Sequence, residues 1–484
     1  MAGLSTALSN ALSGLTVSAA QTAVTARNVS FAGEPDYVRR VTQVSTLSDG
    51  SAVLAATTRS VDGLLQADAL KASADSSGQR VVLDAYGQLS ATVGEVSADG
   101  SLAAGINALA IRLADYEADP SSQSLAGAAV MAAKDVAQGL NDATATVQNL
   151  RAAADQAIAQ SVSTINSLLQ RFQAANQTVI NSTSDDAARN DALDQRDAIL
   201  SQLAQEVGIR TVKRGANDVA IYTDSGVTLF ETTARQVTFQ PSGAFSATTM
   251  GSAVYADGVR ITGDGSVMPS TAGKLQAQVM VRDRIAPQYQ SQLDEVARGL
   301  VSAFAEHDQS GAGLPAVTGL FSHGGSPAVP AAGVAVPGLA ATIAVNPAAL
   351  ATTQKLRDGG FGGAAYVYNS TGAAGYQDRL TGLIDALSAP QGLDPAAGMG
   401  TSGSVDSMAR SSAAWLEQGR SRAEQSATVA SARAARASEA LQRVTGVNID
   451  EEMTRLLDLE KAYQASAKVM TIVNQMMQQL VNVV

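Results

Sequence analysis

The chain has 484 residues, with 33 Lys or Arg, 44 Asp or Glu, 2 His and no Cys, for a net charge of −11. Without Cys there is no thiolate metal site, disulfide framework or cysteine nucleophile, and two His exclude a three-histidine centre. The acidic balance argues against unspecific nucleic-acid binding. Charged residues are 16% and aromatics 4%, and much of the apolar content is Ala. Ala favours helix and lets helices approach closely, but each buried Ala contributes little transfer energy. An elongated, helix-rich molecule is therefore expected.

Met1 to Leu15 carry no basic region and alternate polar with apolar residues, so no cleaved secretion signal is expected. Leu4, Leu8, Ala11, Leu15, Thr22, Ala26 and Val29 follow at spacings of three and four and mark one helical stripe. Arg27 is its first charge. A nearly uncharged amphipathic helix suits assembly better than solvation. Gly33-Glu34-Pro35-Asp36 breaks the pattern, and residues 37–48 alternate as an extended segment. From about 52 to 205 the text reads as several long helices with a break at Asp119-Pro120, and Ser184-Asp185-Asp186 suits a helix cap. Leu193-Asp194-Gln195-Arg196-Asp197 follows, and Gly208 reads as a C-cap glycine.

Between 209 and 270 short Val-, Ile- and Phe-rich runs alternate with turn pairs such as Asn217-Asp218 and Asp257-Gly258, the mark of an antiparallel insertion. This segment is expected to fold as an independent outer module. Helix returns from Gly273 to about His307. The Gly/Pro-rich stretch 311–403 reads as irregular, with Val-containing snippets at 334–336 and 343–345. Helix resumes from about 405 to 443 and from Asp450 onward. In the last helix Met453, Leu456, Tyr463, Ala467, Met470, Met477, Val481 and Val484 keep a heptad-like spacing. Asn474, Gln475, Gln478, Gln479 and Asn482 exclude a membrane-spanning helix there. Two charge-poor terminal helices of this kind can pair antiparallel.

Ala11-Leu12-Ser13-Gly14-Leu15 with Asn28-Val29-Ser30 resembles the N-terminal signature of the bacterial flagellar rod, hook and hook-associated axial proteins. Glu34-Pro35-Asp36-Tyr37-Val38-Arg39 stands where that family carries Pro-Gly-Tyr and a basic residue, with Asp36 replacing the glycine. The closing segment is similar too, from Gly446-Val447-Asn448-Ile449-Asp450-Glu451-Glu452-Met453 to Ala462-Tyr463-Gln464-Ala465-Ser466. Its Asn-Ile-Asp-Glu-Glu form, Leu193–Asp197 and Phe304–Gly311 resemble the junction-forming hook-associated members. The resemblance implies a structural, non-enzymatic protein at the hook–filament junction, homo-oligomeric in the flagellum. Its partners would be hook protein, a second junction protein and a cytosolic export chaperone holding the C-terminal helix. It implies no cofactor and no membrane insertion, and an extracellular destination reached through the flagellar type III apparatus. The alternative is another axial protein: a distal junction protein, a flagellin-like subunit, or a hook or rod protein.

The other chemistry is weak. His307 lies between Glu306 and Asp308 with His323 sixteen residues on, short of a metal set. Asp194 and Asp197 are i and i+3 beside Arg196, which reads as an ion-pair network between helices. Gly359-Gly360-Phe361-Gly362-Gly363 lacks the Lys and Ser/Thr of a phosphate loop, and Gly263-Asp264-Gly265 lacks the carboxylates of a calcium loop. The expected fold is mainly α with a small β insertion, elongated and multi-domain, with the terminal helices paired as a coiled coil. The expected domains are 1–35 with 450–484 as axial core, 36–208 with 271–449 as a long-helix bundle, and 209–270 as the β-rich outer insertion. The expected assembly interface is Leu4, Leu8, Leu15, Leu456, Tyr463, Met470, Met477 and Val481. Asn28, Asp194, Arg196, Asp197, Asn448 and Asp450 are the expected structural motif residues.

Overall fold

The computed structural model describes residues 2–34, 36–93, 101–182 and 186–483. It starts with helix α1 (Ala2–Ser30), hairpin strands β1 (Arg40–Thr46) and β2 (Ala52–Arg59), and helices α2 (Gly63–Val93), α3 (Leu102–Ala118), α4 (Gln123–Asn181) and α5 (Asp186–Glu206). Strands β3 (Ile209–Lys213), β4 (Val219–Thr223), β5 (Thr228–Phe230), β6 (Val237–Thr238), β7 (Tyr255–Ala256) and β8 (Val259–Arg260) follow. Next come α6 (Lys274–Met280), a π-helical turn at Val281–Ile285, and α7 (Ala286–Ala303). Then β9 (Phe321–His323), α8 (Leu339–Thr342), β10 (Ile343–Val345), α9 (Pro347–Ala351), α10 (Lys355–Asp358), α11 (Asp378–Ser388), β11 (Gln391–Gly392) and β12 (Ser402–Gly403) lead to the long helices α12 (Val405–Thr445) and α13 (Ile449–Val483).

Helix α4 organises the body. Its 59 residues reach about 88 Å at the standard rise. Buried positions run Ala126, Val130, Ala133, Ala137, Leu140 and on to Ile165, Leu168, Phe172, Ala175 and Val179. They alternate three and four apart, so one seam faces inward along nearly the whole helix. The run expected to be several helices is thus one after Asp119-Pro120, because nothing interrupts that seam. Two cores share it. The N-terminal half packs with α3, α7, the start of α12 and the apolar residues of 320–393. Here Trp415 stacks flat on Tyr289, ring centroids 6.4 Å apart. The C-terminal half packs with α5, α6 and the strands β4 to β6.

The insertion is antiparallel as expected, in two three-stranded sheets ordered β3-β4-β5 and β6-β7-β8. It does not have a core of its own. Ile221, Leu229, Phe230 and Val254 bury themselves against Ile165, Phe172 and Leu203 of α4 and α5, and Phe172 meets Phe230 edge-on at 5.0 Å. An ion pair reinforces the attachment. Arg282, in the π turn, donates to Asp155 of α4 at 2.6 Å and to the Ser252 carbonyl at 2.7 Å. The sequence pattern of an autonomous module therefore resolves into one face of a shared core.

Other local expectations shift. Residues 52–59 form a strand, since the β-branched Val53, Thr57 and Thr58 favour extended backbone and pair with β1 in an antiparallel hairpin. Gly208 is not a left-handed cap, as its φ is not positive. It is needed for space, because a Cβ there would sit 2.7 Å from the Asp224 carboxylate. Ser184 and Asp185 lie outside the described residues; α5 starts at Asp186. Residues 334–336 are not a strand, and 343–345 is β10, paired antiparallel with β9. The glycine cluster wraps a buried carboxylate. Gly359, Gly360 and Gly363 take positive φ, the Gly362 amide donates to Glu306 at 2.9 Å, and Arg379 donates to the other oxygen at 3.0 Å.

Two outcomes follow from this packing. Deleting 209–270 uncovers Ile165, Phe172 and Leu203, so the shortened chain should lose protection along the C-terminal half of α4 and aggregate; hydrogen exchange on α4 checks it. The second concerns Glu306, whose pKa is raised by burial against the opposing Gly362 amide and Arg379. The stability this group gives is full below its ordinary value of 4.5 and is lost as pH rises through the raised one. Unfolding midpoints of Glu306→Gln should decline less than the parent's from pH 4.5 upward. Equal slopes would mean the carboxyl titrates normally.

The terminal helix pair and its ionic joint

Helices α1 and α13 pair antiparallel. Gly14 lies against Ser466, where an added Cβ would come 3.2 Å from the hydroxyl, and Asn28 reaches Glu452 at 3.0 Å. On α1 the buried residues are Ala11, Val17, Ser18, Thr25 and Asn28, and on α13 they are Glu452, Leu459 and Val473. Small side chains hold the two axes close. The opposite flank of α1 carries the β1–β2 hairpin. The Ala52 amide donates to Ser13 Oγ at 3.1 Å, and Gln21 donates to Thr42 at 3.3 Å.

Of the expected interface residues, Leu4, Leu8, Leu15, Leu456, Met470 and Met477 are half-buried in the single chain. Tyr463 is exposed, and of Val481 only the backbone is described. Sequence spacing did not separate a second apolar face of α13. Ile449, Met453, Leu457, Val469, Ile472 and Met476 are all exposed, as is Leu12 of α1. Asn474, which interrupts the expected stripe, points to solvent.

Asn448, not Asp450, caps α13. The Asp450 amide donates to Asn448 Oδ1 at 3.0 Å, because the Asn side chain folds back over the first free amides. Asp450 itself sits exposed in the first turn with Glu451 and Glu452, at the positive end of the helix.

The joint between this pair and the body centres on Asn28, which is 1% exposed. Its amide nitrogen donates to the Arg40 carbonyl at 2.9 Å and its oxygen accepts from the Arg40 amide at 3.0 Å, so the side chain pairs with β1 as a strand residue would. The same nitrogen donates to Glu452 and the oxygen accepts from Tyr37 at 2.8 Å. Arg39 holds the other oxygen of Glu452 at 2.7 Å. Two bonds to carbonyls at the end of α12 add to this. Arg39 N donates to Thr445 O at 2.7 Å and Ser60 Oγ to Val444 O at 2.8 Å.

A chain of charges extends the joint onto α5. Arg27 and Arg40 both hold Asp191, and Arg40 reaches Asp194 at 3.1 Å. Arg59 contacts Asp194 at 2.7 Å and Asp197 at 2.5 Å. The first of these is an ion contact without hydrogen-bond alignment. The two carboxylates are thus bridged by an arginine from β2, as their i, i+3 spacing allows. Arg196 is no part of that network; it turns to the other side, donating to Asn176 of α4 at 3.0 Å and to the Asn217 carbonyl at 2.6 Å. Burial raises the pKa of Asp194 despite Arg59 and Arg40. At Asp191 burial acts the same way, but hydrogen bonds from Arg40 and Arg27 outweigh it and the pKa is lowered. Sequence reasoning missed Arg40, Arg59, Asp191 and Glu452; in a chain this poor in charge, the Arg39-Arg40 doublet was the available signal. His307 is exposed and its amide receives no metal-like setting, donating to Tyr368 at 2.8 Å. Among the described residues no group of three or more His, Asp or Glu could hold a metal, and no helix is long and apolar enough to cross a membrane.

Comparison with known proteins bears on this architecture. The family profile described as the flagellar hook-associated protein FlgK helical domain matches residues 86–321. That of the flagellar basal body rod FlgEFG protein C-terminal region matches residues 441–483. What the two profile matches support is a flagellar axial protein of the hook- and rod-associated, FlgK-like kind. Among solved structures, it is similar to the flagellar hook junction protein FlgK from Burkholderia pseudomallei, at 21% identity and a TM-score of 0.43. That similarity covers 53% of this chain, and the chain spans 47% of that protein's length. No curated protein matches.

Asn28→Ala should leave the Arg40 amide and the Tyr37 hydroxyl without a partner at a buried site, and cost about 3 kcal/mol in chemical unfolding. The Arg40 amide should exchange faster with solvent. Asn474→Ala, at an exposed position, should change stability by less than about 0.5 kcal/mol.

Proposed function

We propose that this protein assembles at the distal end of the flagellar hook and forms the hook–filament junction. The observation that carries the reading is the FlgK helical-domain match over the body, joined to a terminal pair whose α13 leaves an apolar face open to solvent. A lone soluble monomer gains nothing from exposing Met453, Leu457, Val469, Ile472 and Met476 along one helix. A ring of copies does, since each pair can cover the next. In this reading Leu4, Leu8, Leu15, Leu456, Met470 and Met477 build the pair itself, and Tyr463 belongs to the contact between copies. Residues 1–35 with 450–484 form the axial core, 36–208 with 271–449 the bundle, and 209–270 the outer face. The role is structural and not catalytic.

Partners follow from position. Hook protein lies on one side and a second junction protein on the other. A cytosolic export chaperone holds α13 before passage through the flagellar type III apparatus to the cell exterior. Met470, Met476 and Met477 suit an adaptable contact of that kind.

Three substitutions test the assignment of faces. Met470→Asp places a charge in the seam between α1 and α13 and should weaken pairing by roughly 2–4 kcal/mol. Ile472→Asp alters only the exposed face, so the isolated protein should melt normally yet fail to join filament to hook. Gln478→Asp, on the polar side, should do neither. Motility and electron microscopy of the junction, with export measured separately, give the readout. Normal junctions in the Met470 and Ile472 variants together with failure of the Gln478 variant would invert the faces.

A further inference from the structure

A cleft of about 320 Å³ opens between β2, α5 and the β3–β4 turn. Five basic side chains line it, Arg59, Arg189, Arg196, Lys213 and Arg214, against two carboxylates, Asp197 and Asp218. In a chain of net charge −11 this is a local reversal of sign. Both carboxylates are already engaged. Asp197 pairs with Arg59 at 2.5 Å, and Asp218 pairs with Arg214 at 2.7 Å while accepting from Asn176 at 2.7 Å.

Arg196 forms the floor of this cleft and is 6% exposed. Only its Nη1 is hydrogen-bonded, to Asn176 and to the Asn217 carbonyl, and its buried Nε donates to nothing. Arg40 Nε and Arg298 Nη1 are also without a hydrogen bond, but each of those side chains touches a carboxylate, and among the described residues none touches Arg196. Arg40, Arg282, Arg298, Arg357 and Arg379 each have a carboxylate within 3.1 Å. Arg151 bonds through all three nitrogens to carbonyl and amide oxygens. Burial lowers the pKa of Arg196, with Asp197 and Asp218 opposing only in part. A cation taken out of water without a counter-ion is costly. At the mouth of the same cleft stands Lys213, exposed and without a carboxylate partner among the described residues.

We propose that this cleft binds an oxyanion, a phosphate or a carboxylate, held by the Arg196 guanidinium at its floor and the Lys213 ammonium at its mouth. A planar guanidinium with unused donors matches the paired oxygens of either group. The anion would complete the neutralisation that the chain leaves unfinished, and would tie α5 to the insertion.

Titration of the full-length protein with inorganic phosphate, at constant ionic strength kept with chloride, should show saturable binding of one phosphate per chain. Lys213→Gln should weaken it roughly tenfold, one decade for a lost hydrogen bond between charged groups. Its melting curve without phosphate should match the parent's. Arg196→Lys should weaken binding as well; should that variant fold poorly, Lys213→Glu on the surface decides, and should abolish binding. Sodium acetate distinguishes the sources. Displacement of phosphate by acetate at comparable concentration assigns the site to a carboxylate, whereas phosphate held against acetate assigns it to a phosphate. Absence of saturable binding for both anions, or phosphate binding unchanged in both Lys213 variants, overturns the proposal.

Discussion

The terminal helix pair joins the body through two short connections, one ahead of β1 and one ahead of α13, and Asn28 bonds to residues beside each, Tyr37 and Arg40 by the first and Glu452 after the second. One amide side chain there answers a strand backbone, a tyrosine hydroxyl and a carboxylate of the opposite terminal helix. Because these groups are buried, each must be paired or cost the full desolvation of a polar atom. The direction in which the pair leaves the body is therefore set by a few hydrogen bonds and not by apolar bulk. The charges that follow, from Arg27 and Arg40 to Asp191 and Asp194, spread that constraint onto α5. Apolar contacts alone, made by Ala, Ser and Gly along α1, would leave the angle loosely defined.

Within the body the same economy of side chains produces a different solution. The seam of α4 is half alanine near its N-terminus and carries Leu, Ile and Phe further on. The first half needs neighbours that come close, and receives α3 and α7. The second half offers larger side chains and receives a β layer. The insertion sits where it does because that is where α4 and α5 present enough apolar area to cover two small sheets.

The unbroken length of α4 was not legible in the sequence, but the helical texture, the break at Asp119-Pro120 and the strand texture of 209–270 were, because periodicity and turn residues report local structure directly. So was the pairing of the termini, through matching charge-poor stripes. What stayed hidden was which side chains meet across long separations. Asp194 and Asp197 are visibly a pair on one helix face, but their partner Arg59 comes from β2, a segment whose helical reading was wrong. Arg196 lies between them in sequence and faces elsewhere. The stripe read from the sequence of α13 took in Met453 and Tyr463, which are exposed, and left out Leu457, Val469, Ile472 and Met476, which form a second apolar face, since spacing marks an apolar face without saying what covers it. Only the position of α1 assigns each to a side. Gly208 shows the same limit, because its cause is a carboxylate sixteen residues away.

The continuity of α4 carries a mechanical consequence. A single helix that supplies one wall to both cores has no hinge between them, and its hydrogen-bond ladder resists torsion along its whole length. A twist applied to the core around Trp415 must appear at the sheets of the insertion with little slack, and a load on those sheets returns along the same shaft. In the assembly proposed above, such a member would carry torque through each copy and leave compliance to the contacts between copies.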